Sequence, residues 1–267
     1  MPTITASLVN ELRAKTGLGM MECKKALVET EGDIEKAISA FRKKGVKASI
    51  AERAATEGRV EVLTKGDVAA VVEVVCNTDF TAKSDEVLKV ASLGASILAG
   101  NPSADLSADA AVTEALVNAS KVTGENVQLG RTSTVNGNVG SYLYSTAGKG
   151  KIGVLLQFAG ASNEDVVRHL GMHIAAARPV ALSRDQVPAE LVAKEKEIAV
   201  EQAKATGKPQ EMAEKIALGK LNSFYAERVL LDQEFINGEV FKGKVSDMLK
   251  SKGVELVKYV RLEVGTA

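Results

Sequence analysis

Residues 58–80 read GRVEVLTKGDVAAVVEVVCNTDF, and the reading of this stretch decides the fold class. Arg59 to Thr64 has the character of a strand, Lys65-Gly66-Asp67 has turn chemistry, and Val68 to Val75 is a second strand rich in β-branched residues. The hairpin runs into Cys76-Asn77-Thr78-Asp79-Phe80, where a strand gives way to a helix. That helix carries Val87, Ala91, Gly94 and Leu98 on one face, with Leu88 and Ala95 beside them, until Gly100-Asn101-Pro102 stops it.

Working outward, Ser103 to Lys121 reads as helical, and three further strand-like segments follow. These are VQLGRTSTV, VGSYLY after the turn Asn136-Gly137-Asn138, and KIGVLLQF; together they read as a second meander. Asn163 to Ala177 is a helix with Val166, Leu170, Ile174 and Ala177 inward. The β-plus-helix layout therefore recurs, which predicts an α+β core of two subdomains with antiparallel sheets, residues 58–138 and residues 139–187 with 232–267. The C-terminal part adds a short helix, Val245 to Ser251, and a strand over VELVKYVRLEV.

Two segments differ in kind. Residues 1–50 hold three short helical patterns. Leu8, Val9 and Leu12 precede Gly17; Met20, Cys23 and Leu27 precede Gly32; and Ile34, Ala37, Ile38 and Phe41 precede Gly45, with Asp33 as N-cap of the third. Such a module has little core of its own and suits docking better than catalysis. A connector, 51–57, joins it to the core. Residues 188–231 hold two charged helical runs around Thr206-Gly207-Lys208-Pro209, which predicts an inserted antiparallel hairpin of coiled-coil type with Leu191, Ile198, Ile216 and Leu221 as its main apolar residues. Its thin apolar stripe makes it a candidate protein interface.

Composition narrows the function. The 267 residues carry 34 Lys plus Arg against 34 Asp plus Glu, and 4% aromatics without tryptophan. Neutral charge and scarce stacking surfaces argue against a protein whose affinity comes from nucleic-acid phosphates and bases, leaving an RNA- or ribosome-binding module as the alternative reading. The first fifty residues, with nine basic against six acidic side chains, are mildly positive. No basic start precedes an apolar stretch at MPTITASLVNELRAK, and no run of about 18 apolar residues occurs, so a soluble, unprocessed chain with no membrane contact is expected. Cys23 and Cys76 are too few for a disulfide framework and fit a reducing cytoplasm.

Few residues offer covalent chemistry. Gly148, Gly150 and Gly153 satisfy G-x-G-x-x-G, but the third glycine enters the strand-like VLLQF where a nucleotide site needs a helix, so a hairpin turn is the better reading. Asp165, His169 and His173 stack at i, i+4 and i+8; without a fourth ligand they predict hydrogen-bonded histidines rather than a metal centre. No cofactor is expected. Thr78-Asp79-Phe80 leaves two readings open: Asp79 caps the next helix while Phe80 fills the core, or an exposed aromatic beside a carboxylate forms a wedge for a partner's pocket.

Residues 12–27, LRAKTGLGMMECKKAL, resemble the N-terminal signature of the bacterial elongation factor Ts family, and residues 76–83, CNTDFTAK, its second signature. The likeness continues through Gly124-Glu125-Asn126, Gly140-Ser141-Tyr142, Ile152 to Leu155, Met172-His173, Gly207-Lys208-Pro209 and Arg261 to Gly265. It implies an exchange factor without covalent chemistry that binds elongation factor Tu carrying GDP and promotes GDP release in translation. It also implies an N-terminal domain like the ubiquitin-associated fold.

Thr78, Asp79, Phe80 and Thr81 match the positions tied in that family to magnesium displacement from the GTPase. Gly19, Met20, Lys24, Val122, Gly124 and Tyr144 are weaker partner-binding candidates. The hairpin is implied to touch the GTPase or a second copy of the factor, as a homodimer or 2:2 complex. Departures are Thr81, where the family usually has valine, Val75 in place of asparagine, and Tyr144 in a longer turn where many members carry a histidine.

Overall fold

The structure is a computed structural model and describes residues 4–16, 20–43, 55–160, 162–207 and 209–266. Gly17, Gly19, Gly45, Lys208 and most of the connector lie outside the described residues. Those described form a mixed α+β architecture of two three-stranded antiparallel sheets and ten α-helices.

The first sheet has the order β1 (Glu57–Lys65), β2 (Val68–Cys76), β3 (Gln128–Asn136), and the second the order β4 (Asn138–Thr146), β5 (Lys149–Phe158), β6 (Leu256–Glu263). The expectation of a meander through the three segments after residue 127 is corrected: β3 pairs with β2, and only β4 and β5 pair across the next turn. The turn at Gly137 instead steps from one sheet to the other, its N–H donating to the Asp67 carbonyl at 2.8 Å.

The apolar runs in the two central strands have a direct cause. Along β2, Ala69 and Val71 join Val60, Val135, Leu155 and Leu262 in a layer shared by the two sheets. Their neighbours Ala70, Val72, Val74 and Cys76 point the other way. There they meet α5 (Asp85–Gly100) and α6 (Ala110–Thr123). A strand buried on both faces loses polar alternation. Glu73, the exception in β2, is neutralised by the Arg131 fork, with Nε 2.8 Å and Nη2 3.0 Å from its carboxylate oxygens.

Strand β5 repeats the pattern. Ile152, Val154, Leu156 and Phe158 pack with Val166, Leu170 and Ile174 of α7 (Glu164–Ala177) and with α10 (Val245–Ser251). Both G-x-G-x-x-G glycines inside β5 are there for packing: a Cβ on Gly150 would lie 2.0 Å from the Val60 carbonyl oxygen, and one on Gly153 2.7 Å from Val71.

Three local readings change. Ser103–Ala108 is turn rather than helix, because Asp105 accepts from the Ser107 N–H at 2.9 Å; Asp109 then caps α6, accepting from Ala111 and Val112. In α2 (Met20–Glu29), Cys23 and Leu27 are buried but Met20 is 52% exposed. In the helical pair α8 (Ala189–Ala205) and α9 (Gln210–Arg228), the buried seam is Ala199, Ala203, Ala213 and Ala217, so small residues set the helix contact and Ile198 stays exposed. The expected cap of α3 (Ile34–Lys43) holds, Asp33 Oδ1 accepting from the Lys36 N–H at 3.0 Å.

Candidate partner-binding site

Strand β2 ends at Cys76, and a single-turn helix, α4 (Asp79–Ala82), separates it from α5. Thr78 stands in extended backbone, and its Oγ1 accepts from the Thr81 N–H at 3.3 Å. Ser84 caps α5 in the same way and donates its hydroxyl to the Thr81 carbonyl at 2.8 Å. With Thr81 and Ala82 buried, Asp79 and Phe80 are left on the outer side of the turn. Phe80 is 86% exposed, so the reading that places it in the core is overturned. Asp79 does not cap a helix; Thr78 does.

The turn is braced from behind by the loop after α6. Gly124 takes the left-handed conformation that ends that helix (φ 69°), and Glu125 then reaches the turn. One of its carboxylate oxygens accepts from the N–H groups of Asn77 (3.1 Å) and Thr78 (2.9 Å), and the other accepts the Thr78 hydroxyl at 2.6 Å. Asn77 returns the contact by accepting from the Asn126 N–H at 2.8 Å. The Cys76 thiol donates to the Thr78 carbonyl at 3.3 Å, and burial chiefly, then the Glu125 charge, pushes its pKa up to about 11. That thiol is structural rather than nucleophilic.

Asp79 has a cation on each oxygen. Lys149 Nζ lies 2.5 Å from Oδ1, and Lys83 Nζ 2.5 Å from Oδ2. Hydrogen bonds from Lys149 first, and Lys83 second, lower its pKa to about 2, so it is an anion at any physiological pH. Lys149 also reaches Glu57 Oε2 at 3.1 Å. Burial pulls the Lys149 pKa down, but its bonds to Asp79 and Glu57 outweigh this and the net direction is up.

Among the weaker candidates, Val122 (62% exposed) and Gly124 close α6 and adjoin the bracing loop. Met20 and Lys24 lie on the outer side of α2, beside exposed Met21 and Val28, which sequence reasoning passed over. Tyr144 lies exposed within β4, opposite Ile152, and not in the longer turn expected for it, because Thr146 and Lys149 pair across a two-residue turn at Ala147-Gly148. Glu125 and Lys149 were also passed over as site residues. Only Lys83, one helical turn beyond Asp79, had a signal in its spacing.

The histidine alternative does not assemble. Asp165 is solvent-exposed and pairs with Arg168. His173 is fully buried: its Nδ1 accepts from the Ile236 N–H at 3.1 Å, which leaves Nε2 to donate to Gln233 Oε1 at 3.0 Å. Among the described residues no group of three His, Cys, Asp or Glu is placed to hold a metal, and no helix is long and apolar enough to cross a membrane.

Comparison with known proteins agrees with the motifs. The family model described as Elongation factor TS matches residues 77–266. A protein named Elongation factor Ts from Vibrio campbellii is 42% identical, over 99% of this chain and 92% of its own length. One from Aliivibrio salmonicida is 42% identical over 99% and 93%, and one from Methylococcus capsulatus 40% identical over 98% and 92%. On that similarity, spanning both signatures and nearly the whole chain, the protein belongs to the elongation factor Ts family.

Proposed function

We propose that this chain, by its family a nucleotide exchange factor for elongation factor Tu in translation elongation, loosens GDP through a wedge formed by Thr78, Asp79, Phe80 and Thr81. The observation that carries the reading is Phe80, an aromatic side chain 86% exposed on a turn braced by Glu125 on one side and Lys149 on the other. An aromatic side chain held out on a braced turn is suited to anchor in a partner's pocket.

Exchange needs no bond-making residue. A factor that prefers the nucleotide-free GTPase weakens nucleotide binding by the same factor, because the coupling is reciprocal. Weakening GDP about 10,000-fold takes about 5.5 kcal/mol of differential binding, more than one surface hydrogen bond supplies. A buried aromatic anchor within a broad interface reaches that range. In this reading Phe80 enters the GTPase near its magnesium and phosphate sites and displaces the ion, while Asp79 brings its carboxylate, ion-paired with Lys149 and Lys83, to the same place.

Met20 and Lys24 on α2, with Val122, Gly124 and Tyr144, supply surrounding contacts. The α8–α9 pair, with Ile198, Met212 and Leu218 exposed, supplies a further one to the GTPase or to a second copy. The test is release of fluorescent GDP from elongation factor Tu. Phe80→Ala should fold normally and lose most of the acceleration; a folded variant with undiminished exchange removes the wedge assignment.

A further inference from the structure

Lys149 is a buried cation shared by two carboxylates, Asp79 and Glu57. It is 7% exposed, and lysine is almost never buried unless paired. Its position follows from the turn between β4 and β5. Ala147 (φ 49°) and Gly148 (φ 84°) both take positive φ, as a tight two-residue hairpin turn requires, and Thr146 pairs with Lys149 across it. Gly150, having no Cβ, lets β5 close onto the β1 backbone at Val60. That approach carries the Lys149 ammonium to the start of β1, where Glu57 lies, and to the first residue of α4, Asp79.

The ammonium thus ties three separate elements at one point, beside a cleft of about 380 Å³ bounded by Glu57, Asp79, Lys149 and Lys151. Lys83, the other partner of Asp79, lies one turn along, at the end of the same short helix, and cannot fix that helix relative to the sheets. Glu125 holds the turn at Asn77 and Thr78, on the strand side. Among the described residues, Lys149 alone ties Asp79, the neighbour of Phe80 in sequence, to the second sheet.

We infer that Lys149 is a positioning residue for exchange: held between Asp79 and Glu57, it fixes the first turn of α4 so that Phe80 is already presented when the GTPase arrives. This rests on the wedge reading of Phe80. Its physical content is population: if the presenting arrangement is one of several, productive affinity falls by the fraction populated. A lysine that merely staples two strands would alter stability without altering exchange by the folded protein.

The experiment measures GDP release from elongation factor Tu at subsaturating factor for the full-length wild type, Phe80→Ala, Lys149→Met, Lys149→Arg, Asp79→Asn and the Lys149→Met/Asp79→Asn double variant, with thermal melts of each. Lys149→Met should lower kcat/KM for exchange about 10-fold, the fall expected if the presented fraction drops to a tenth. Lys149→Arg, which can still reach both carboxylates, should recover most of it. The double variant should be no more than about 2-fold worse than the worse single one, since both remove the same contact.

Multiplying effects of Lys149→Met and Asp79→Asn overturn the assignment. So does wild-type exchange by Lys149→Met when Phe80→Ala is defective, and in that case the wedge survives alone. Undiminished exchange by Phe80→Ala removes the wedge itself. Should Lys149→Met fail to fold, Lys149→Gln and Lys149→Arg carry the test: a defect in the first that the second relieves supports the inference, and undiminished exchange by folded Lys149→Gln overturns it.

Discussion

The two sheets repeat one layout, a central strand buried on both faces that leads to a helix packed across it, yet they treat the aromatic at that junction in opposite ways. In the second, Phe158 is the last residue of β5, is 3% exposed, and completes the core against α7. In the first, Phe80 lies four residues beyond β2 and is 86% exposed. Topology alone therefore does not expose an aromatic. The difference comes from the added turn of α4, which puts Thr81 and Ala82 inward and Phe80 outward, and from the ties of Glu125 and Lys149 that hold the turn. One junction closes a core, and the other keeps a side chain out of one.

The strongest attempt to break this contrast substitutes both aromatics. Phe158→Ala should destabilise the fold by about 3–5 kcal/mol, the range for an aromatic removed from a packed core. Phe80→Ala should change stability by no more than about 0.5 kcal/mol, as exposed positions do. Its exchange should nonetheless fall about 30-fold, the equivalent of an aromatic anchor worth about 2 kcal/mol. Urea unfolding and GDP release separate the two. If Phe80→Ala unfolds as readily as Phe158→Ala, the contrast fails.

The braces can be compared next. Glu125→Ala removes the carboxylate that accepts from two backbone N–H groups and a hydroxyl. The loss should be about 1–3 kcal/mol in stability, with slower exchange because the turn under Phe80 loosens. Asn163, the matching cap in the second sheet, accepts from the Val166 N–H at 2.9 Å. Asn163→Ala should cost about 1 kcal/mol, as lost N-caps do, and leave exchange by the folded protein unchanged.

Much of this was legible in the sequence, for local reasons. The run Val68 to Val75 declared a strand, Lys65-Gly66-Asp67 a hairpin and Asp33 a cap, because each depends on residues within a few positions. Partner choice between strands is not local. VQLGRTSTV and VGSYLY are strand-like neighbours on either side of a good turn, and nothing in either says that the first pairs back with β2 while the second starts a new sheet.

The candidate site divides in the same way. CNTDFTAK marked the turn, but neither reading of Phe80 could be chosen from the turn's own residues. The choice depends on Glu125, 47 residues from Thr78, and on Lys149, which belongs to the other sheet. His173 likewise becomes a buried structural residue only through Gln233, 60 positions away.

The smallest expected effect is in acid, and it sharpens the contrast because the two regions titrate in different windows. Burial, against a weaker opposing pull from Gln233, holds His173 below its ordinary 6.5. A group with a depressed folded pKa contributes stability that is complete above its unfolded value and is lost as pH falls through the folded one. The second sheet's helix should thus begin to lose stability as pH drops below about 6.5. Asp79, lowered to about 2 by Lys149 and then Lys83, follows the same sign with a lower window: its contribution is complete above about pH 4 and disappears toward pH 2. Asp79→Asn keeps the shape and removes the titration. The stability difference between wild type and Asp79→Asn, read by urea unfolding, should be flat from pH 7 to 5 and shrink only below pH 4. A difference that shrinks above pH 5, or never, would mean that the two lysines do not hold Asp79 as an ion pair, and the brace on the outer face of Phe80 would have to be sought elsewhere.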